Sequence, residues 1–273
     1  MTLKAQIEQS YGSKNPDNNK FMRSMELAPV NLIIIKSLDT IIQKRNYPGL
    51  ILIAGMILFL AVSCQKETKI PIQDNTNYVY QTVTIGTQVW MAENLRATHY
   101  RNGDPIPKDD ITPTQYARPT GTYCIYGNLD SNQDDFGYLY NGYSIKDPRN
   151  IAPRGWHIPT DEEWMTLVNY LGGIKVAGGK LKETGNNHWQ SPNTGATNLT
   201  GFNGLSGGWR DEFRRYLENG KAGVYWSSTQ VSDMQLYLTI TLNNTDEKVL
   251  HDINDFEHAC SVRCIKDTGA SGR

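Results

Sequence analysis

The sequence predicts an α+β domain, mainly β with little helix, and three observations carry that prediction. Fifteen Tyr, six Trp and 24 Gly in 273 residues, with few long apolar runs beyond residue 63, favour many short strands and turns over a helical bundle. The segment IPTDEEW holds a complete helix-start signal. The runs GVYWSST, LYLTITL and CSVRCIK are short and rich in β-formers. A formal charge of -1 with both signs interspersed supplies no field for a nucleic-acid backbone, so nucleic acid is not an expected partner. The four cysteines include no C-x-x-C pair, which argues against a thiolate metal centre.

The chain divides by composition before it divides by structure. From Tyr47 to Ser63 it reads YPGLILIAGMILFLAVS, preceded by Lys44 and Arg45, the layout of an export signal. Ala61, Val62 and Ser63 before Cys64 resemble a bacterial lipobox, with Ala61 where Leu is usual. That resemblance implies that Cys64 becomes the mature N-terminus and carries a lipid. A plain membrane-anchoring helix is the alternative, at the short edge of what spans a bilayer; a run that stops at a cysteine favours lipidation. Both readings place the remainder outside the cytoplasm. A leader of 63 residues exceeds the usual ~15 to 30, so either translation starts downstream near Lys44 or residues 1–43 are a disordered extension. Residues 44–63 are then the signal segment and 64–77 a polar tether. Gln65, Lys66 and Glu67 resemble the short export signal by which Bacteroidetes-type lipoproteins reach the outer face of the outer membrane; a solvated linker is the alternative.

The folded part is expected over residues 78–268, with 269–273 as a tail. Val83, Ile85, Val89 and Met91 fall around Gly86 and Thr87 as two strands of a hairpin would place them. Alternation puts Trp90 on the face opposite Val89 and Met91. A helix is expected over residues 161–171. Thr160 and Glu163 form its capping box, Trp164, Leu167, Val168 and Leu171 form one face, and Gly172 and Gly173 end it. A second short helix is placed near Ala177. Residues 186–208 read as a long irregular loop, of a length that is usually functional or disordered; its aromatics argue against disorder. The C-terminal strand is expected to close the sheet on an early strand.

Four segments stand in a telling order: GTQVWMAENLR (86–96), GYLYNGY (137–143), RGWHIPTDEEW (154–164), and YWSST with SVRCIKD near the end. They resemble the Fibrobacter succinogenes major paralogous domain of secreted proteins and lipoproteins of Bacteroidetes and related bacteria, from about Val83 to Asp267. The resemblance names no reaction. The helix motif, the Gly-rich loop, W-S-S and the closing S-V-R-C strand are further similar to formylglycine-generating-enzyme and C-type-lectin-like domains. This implies a C-type-lectin-like α+β fold with a small twisted antiparallel sheet, one or two helices and long irregular loops. Where the family carries a cysteine before P-x-G-W-H, this chain has Ala152. With Cys64 acylated, an odd count of three remains, and outside the cytoplasm this predicts one disulfide and one free or intermolecular thiol. Cys260 and Cys264 on one strand would stand roughly 13 Å apart, so Cys124 is expected to bridge one of them, with Cys264 favoured.

Candidate sites are few. No residues match the cysteine pair of formylglycine-generating enzymes. Ser227 and Ser228 show no His and Asp partners in sequence. His157 with Asp161, Glu162 and Glu163 is explained by the helix cap. Asp130, Asn132 and Asp134 follow the start of a calcium loop. The sixth place lacks Gly and the twelfth is Asn141 rather than Glu, so a solvated acidic turn is the competing reading and calcium the only cofactor considered. Trp189, Trp209, Tyr225 and Trp226 are candidates for stacking on sugar rings, against a default of core packing. The function expected is a lipid-anchored, non-enzymatic binding or adhesion module at the cell surface, for extracellular glycan or protein. The rivals are an extracellular enzyme acting on polymer and a structural envelope component.

Overall fold

Short strands joined by tight turns dominate, as the composition requires. The computed structural model describes residues 72–73, 78–110, 119–231 and 234–268. The extension 1–43, the signal segment 44–63, Cys64, most of the tether and the tail 269–273 lie outside the described residues. Within the expected tether, β1 (Ile72–Gln73) pairs with β2 (Val79–Tyr80). The expected hairpin follows: β3 (Thr82–Ile85) and β4 (Gln88–Met91) pair antiparallel, and Gly86 turns the chain at φ 61°, a conformation glycine adopts without steric cost. Strand β4 buries both of its faces, because Trp90 and Met91 are each 0% exposed and belong to different hydrophobic clusters.

The remaining elements are β5 (Tyr123–Cys124), α1 (Ser131–Phe136), β6 (Leu139–Asn141), α2 (Gly142–Lys146), β7 (Trp156–His157), α3 (Asp161–Tyr170) and α4 (Ala177–Leu181). They are followed by β8 (Trp209–Arg210), β9 (Tyr216–Leu217), β10 (Ala222–Gln230), β11 (Leu236–Asn243), β12 (Val249–Asp255), β13 (Ala259–Ser261) and β14 (Ile265–Lys266). One sheet runs β12-β11-β10-β13-β6-β5, with β8 on β13 and β9 on β8; a second runs β3-β4-β14-β7. Among the strands named above, pairing is antiparallel except where β10 meets β13. The architecture is α+β. Its strands fill three sheets rather than one small sheet, and the closing strand pairs with the early one as expected, Ile265 opposite Trp90.

Helix α3 forms where the capping box puts it. Thr160 Oγ1 accepts from the Glu163 amide and the Glu163 carboxylate accepts from the Thr160 amide. Its apolar face, Trp164, Leu167 and Val168, is buried against Tyr225, Ile240 and Leu242 of the β10–β11 pair. The opposite face of that pair turns Val224, Trp226 and Tyr237 into a second cluster with Tyr140, Phe256 and Cys260. The buried indole N–H groups find carbonyls, Trp164 on Trp226, Trp189 on Gly204 and Trp226 on Tyr140, which removes the cost of burying a donor. The segment Ile70–Arg273 is one compact unit whose clusters are made of its own residues, so it carries what it needs to fold alone.

Residues 186–208 are irregular, as expected, with Asn193, Asn198 and Asn203 at positive φ. Lys182 anchors this segment: its ammonium, 0% exposed, donates to the carbonyls of Thr194, Asn243 and Asp246 at 2.7–2.8 Å. Burial pushes its pKa down to about 8.

The expected disulfide does not form. Cys124, Cys260 and Cys264 are all free and buried. CSVRCIK, read as one strand, is two: Cys260 lies in β13 of the large sheet and Cys264 just before β14 of the other. Cys124 sits on β5, with β6 between it and β13. Two strand spacings, about 10 Å, separate β5 from β13, beyond disulfide reach. Cys264 packs in the cluster around Met91 and Trp226, whereas Cys124 packs with Leu139 and Ala259. Burial raises all three thiol pKa values, that of Cys124 to about 11.

Candidate binding groove

The register of the β10–β12 meander sets up one open face. Val224 stands opposite Thr241, Ala222 opposite Asn243, Thr241 opposite Leu250, and Thr239 opposite Asp252, so these side chains share one side of the sheet. Near Trp226 that side is covered by core. Toward Ala222 it opens into a groove of about 400 Å³, floored by Ala222, Val224 and Leu250 and edged by Thr241, Asn243, Asp252 and Asn254. The β8–β9 hairpin adds Trp209 and Glu218 as a wall. Gly208, at φ 65°, lets that hairpin close onto the sheet: a Cβ there would overlap the Leu217 carbonyl oxygen, and the Gly208 amide donates to Ala222. An apolar floor, one half-buried indole and a rim of hydroxyl, amide and carboxylate groups match the chemistry of a pyranose, which has an apolar ring face and a polar edge.

Trp209 rests on the His258 ring, centroids 5.1 Å apart. His258 in turn stands between two carboxylates, Nε2 3.0 Å from Glu212 and Nδ1 3.0 Å from Asp255. Among the described residues, these three form the group whose His, Cys, Asp or Glu ligand atoms converge within 4.8 Å.

A smaller hollow of about 210 Å³ lies between Tyr78, Arg96, Gln133 and Tyr138. It is laced by internal bonds. The Tyr78 hydroxyl donates to Glu93 at 2.6 Å, and Arg96 lies over the Tyr78 ring and donates to the Asp134 carbonyl. Burial, with the Glu93 hydrogen bond, pushes the Tyr78 pKa up to about 12.

The sequence candidates separate cleanly. Trp189, Tyr225 and Trp226 are at most 1% exposed and offer no ring face to a ligand; Trp209 is the member of that set that reaches the groove. Asp130, Asn132 and Asp134 do not form a calcium loop. The chain there enters α1, Asn132 Nδ2 donates to the Tyr126 carbonyl, Asp130 pairs with Lys108 and Asp134 with Arg96. Their carboxylates answer different cations instead of converging. Ser227 is buried and its hydroxyl accepts from the Thr229 amide. His157 binds Glu163 through Nε2 and Asp267 through Nδ1, joining β7, the start of α3 and the end of β14. Sequence reasoning missed Thr241, Asn243, Asp252, Glu212, Asp255 and His258. They are scattered over residues 212–258, and only strand register brings them together.

A family model described as the Fibrobacter succinogenes major domain matches residues 83–266. No curated protein matches, and no solved structure matches.

Proposed function

Starting from the chain's membership of the Fibrobacter succinogenes major domain family, we propose that it is a lipid-anchored, cell-surface module that binds extracellular glycan in the groove walled by Trp209. The observation that carries this reading is the groove itself, where one indole stands beside an apolar floor rimmed by Thr241, Asn243 and Asp252. A sugar ring stacked on Trp209 would desolvate its apolar face while its hydroxyls bond the rim, the usual division of labour in small-molecule sites. The anchor rests on the lipobox-like segment ending at Cys64 and on Gln65, Lys66 and Glu67 after it, which together point to the outer face of the outer membrane.

The finer fold assignment, C-type-lectin-like, is part of the same proposal. It is supported by the pairing of the first and last strands, β4 with β14, by a single ten-residue helix on an antiparallel sheet, and by the long irregular segment 182–208 held by buried side chains.

A glycan array probed with Ile70–Arg273 tests the reading. Saturable binding to a subset of glycans, lost in Trp209→Ala and kept in Trp189→Phe, is the expected result. No binding, or binding indifferent to Trp209→Ala, overturns the glycan reading and leaves protein adhesion or an envelope role. Turnover of a glycan would point to the extracellular enzyme.

A further inference from the structure

Resting on the glycan reading of the groove, we propose that its ligand carries a protonated amine, as a glucosamine unit does, and that Glu218 and Asp252 select it against neutral and acidic sugars. The two carboxylates reach the groove from different elements. Asp252 is set by register, opposite Thr239 of β11. Glu218 follows β9 with a left-handed backbone, φ 60°, a conformation that a non-glycine residue holds only when its surroundings enforce it. Here the amides of Lys221 and Ala222 both donate to the Glu218 carbonyl at 2.9 Å. The carboxylate on this wall therefore stands on a fixed backbone and needs little reordering when a ligand arrives.

Charge complementarity supplies the second reason. The ionisable side chains lining the groove are these two acids, and its lining holds no Lys, Arg or His. Neither carboxylate makes an ion pair or a side-chain hydrogen bond with another described residue. The cations on neighbouring elements are committed elsewhere: Arg210 and Arg214 to Asp109, Arg215 to Asp211, and Lys248, just before β12, to Asp246. Behind Trp209, His258 stands between Glu212 and Asp255, so that wall lends the groove no free cation. Two like charges lining one concave surface add their potentials there, which draws in an ammonium group and repels a carboxylate or a sulfate.

Hydrogen-bond chemistry points the same way. An ammonium group offers three donors and no acceptor, and a carboxylate accepts only, so the two match. A uronate or a sulfated sugar brings acceptors and a like charge to the same place. Exposed pairs of this kind change affinity by roughly two- to fivefold each. Stacking on Trp209 and the floor of Ala222 and Val224 therefore supplies most of the binding, while Glu218 and Asp252 set which sugar is preferred.

Calorimetric titration of Ile70–Arg273 with β-1,4-linked tetrasaccharides of glucosamine, glucose and mannuronate, at a mildly acidic pH that keeps the amine protonated, tests it. The expected order of affinity is glucosamine, glucose, mannuronate, with glucosamine preferred over glucose by roughly threefold or more. That preference should narrow in Asp252→Asn and in Glu218→Gln, and again as salt rises from about 20 mM to about 500 mM. Both side chains are exposed, so neither substitution threatens the fold, and the salt series reads the same charges in the unaltered domain. Glucose bound as well as glucosamine, mannuronate bound best, or a preference indifferent to both substitutions or to salt overturns the inference and leaves the glycan reading standing. Absence of glucosamine binding overturns it too, and the glycan array then decides the broader reading alone. Glucosamine binding that survives Trp209→Ala places the charge effect outside the groove and overturns both.

Discussion

Two side chains show how much of this domain depends on single residues whose partners are distant in sequence. Arg263 is 0% exposed. Its guanidinium donates to Asn94 Oδ1 and to the carbonyls of Met91, Phe202 and Asn203 while lying 4.4 Å from the Phe202 ring centroid. It thereby ties the irregular segment to both sheets, and the S-V-R-C motif reads as a plain strand only because these acceptors lie some 60 to 170 residues away. Replacing Arg263 with Met leaves several acceptors dry at about 1–3 kcal/mol each, so a loss on the order of 4 kcal/mol is expected in urea unfolding; a loss under about 1 kcal/mol would contradict the role given to it. His157 makes a pH-dependent contribution. The Glu163 hydrogen bond first, then Asp267, raise its pKa against the opposing effect of burial. Burial works to raise the Glu163 carboxyl, but the His157 bond and the Thr160 amide outweigh it and hold it below the usual range. A raised histidine pKa gives stability that is fully present below its unfolded value, about 6.5, and is lost as pH rises through the folded value. The lowered Glu163 adds stability above about 4.3 that is lost as pH falls. Both act together between roughly pH 4.5 and 6.5. The drop in melting temperature from pH 6 to pH 9 should therefore be smaller in His157→Asn than in the wild type, and parallel curves would count against this linkage.

At the scale of elements, legibility follows locality. Helix α3 was readable to within a residue because its cap, its apolar spacing and its glycine stop all lie within 14 residues of chain. Thr160→Ala should cost about 1 kcal/mol, and Thr166→Ala, on the exposed face, much less; equal costs would mean that the cap contributes nothing specific. The β3–β4 hairpin was readable for the same reason, since Gly86 and Thr87 supply the turn and alternation supplies the strands. Strand order was not readable. Nothing local in CSVRCIK signals that the chain leaves the large sheet at Ser261 and joins another at Ile265, and that break defeated the disulfide expectation. Ellman's reagent should find no reactive thiol in native Ile70–Arg273 and three after denaturation without reductant. A single thiol after denaturation would restore a bridge.

For the whole molecule, membership of the family and the α+β class were legible in the sequence, whereas the groove was not. Trp209 was one of four equivalent aromatic candidates until burial removed Trp189, Tyr225 and Trp226. The polar rim, Thr241, Asn243, Asp252 and Asn254, comes from side chains 32 to 45 residues removed from it, aligned only by the register of β11 and β12. That sheet has one face sealed by α3 and the other partly open, an asymmetry that leaves a rigid surface free for recognition. On the reading proposed above, the glycan binds at this surface. Amide shift mapping of ¹⁵N-labelled Ile70–Arg273 titrated with the strongest array ligand tests it most directly. Shifts concentrated at Trp209, Thr241, Asn243 and Asp252 are the expected result. Shifts concentrated in the hollow between Tyr78, Arg96 and Tyr138, or anywhere away from the β10–β12 face, would contradict it.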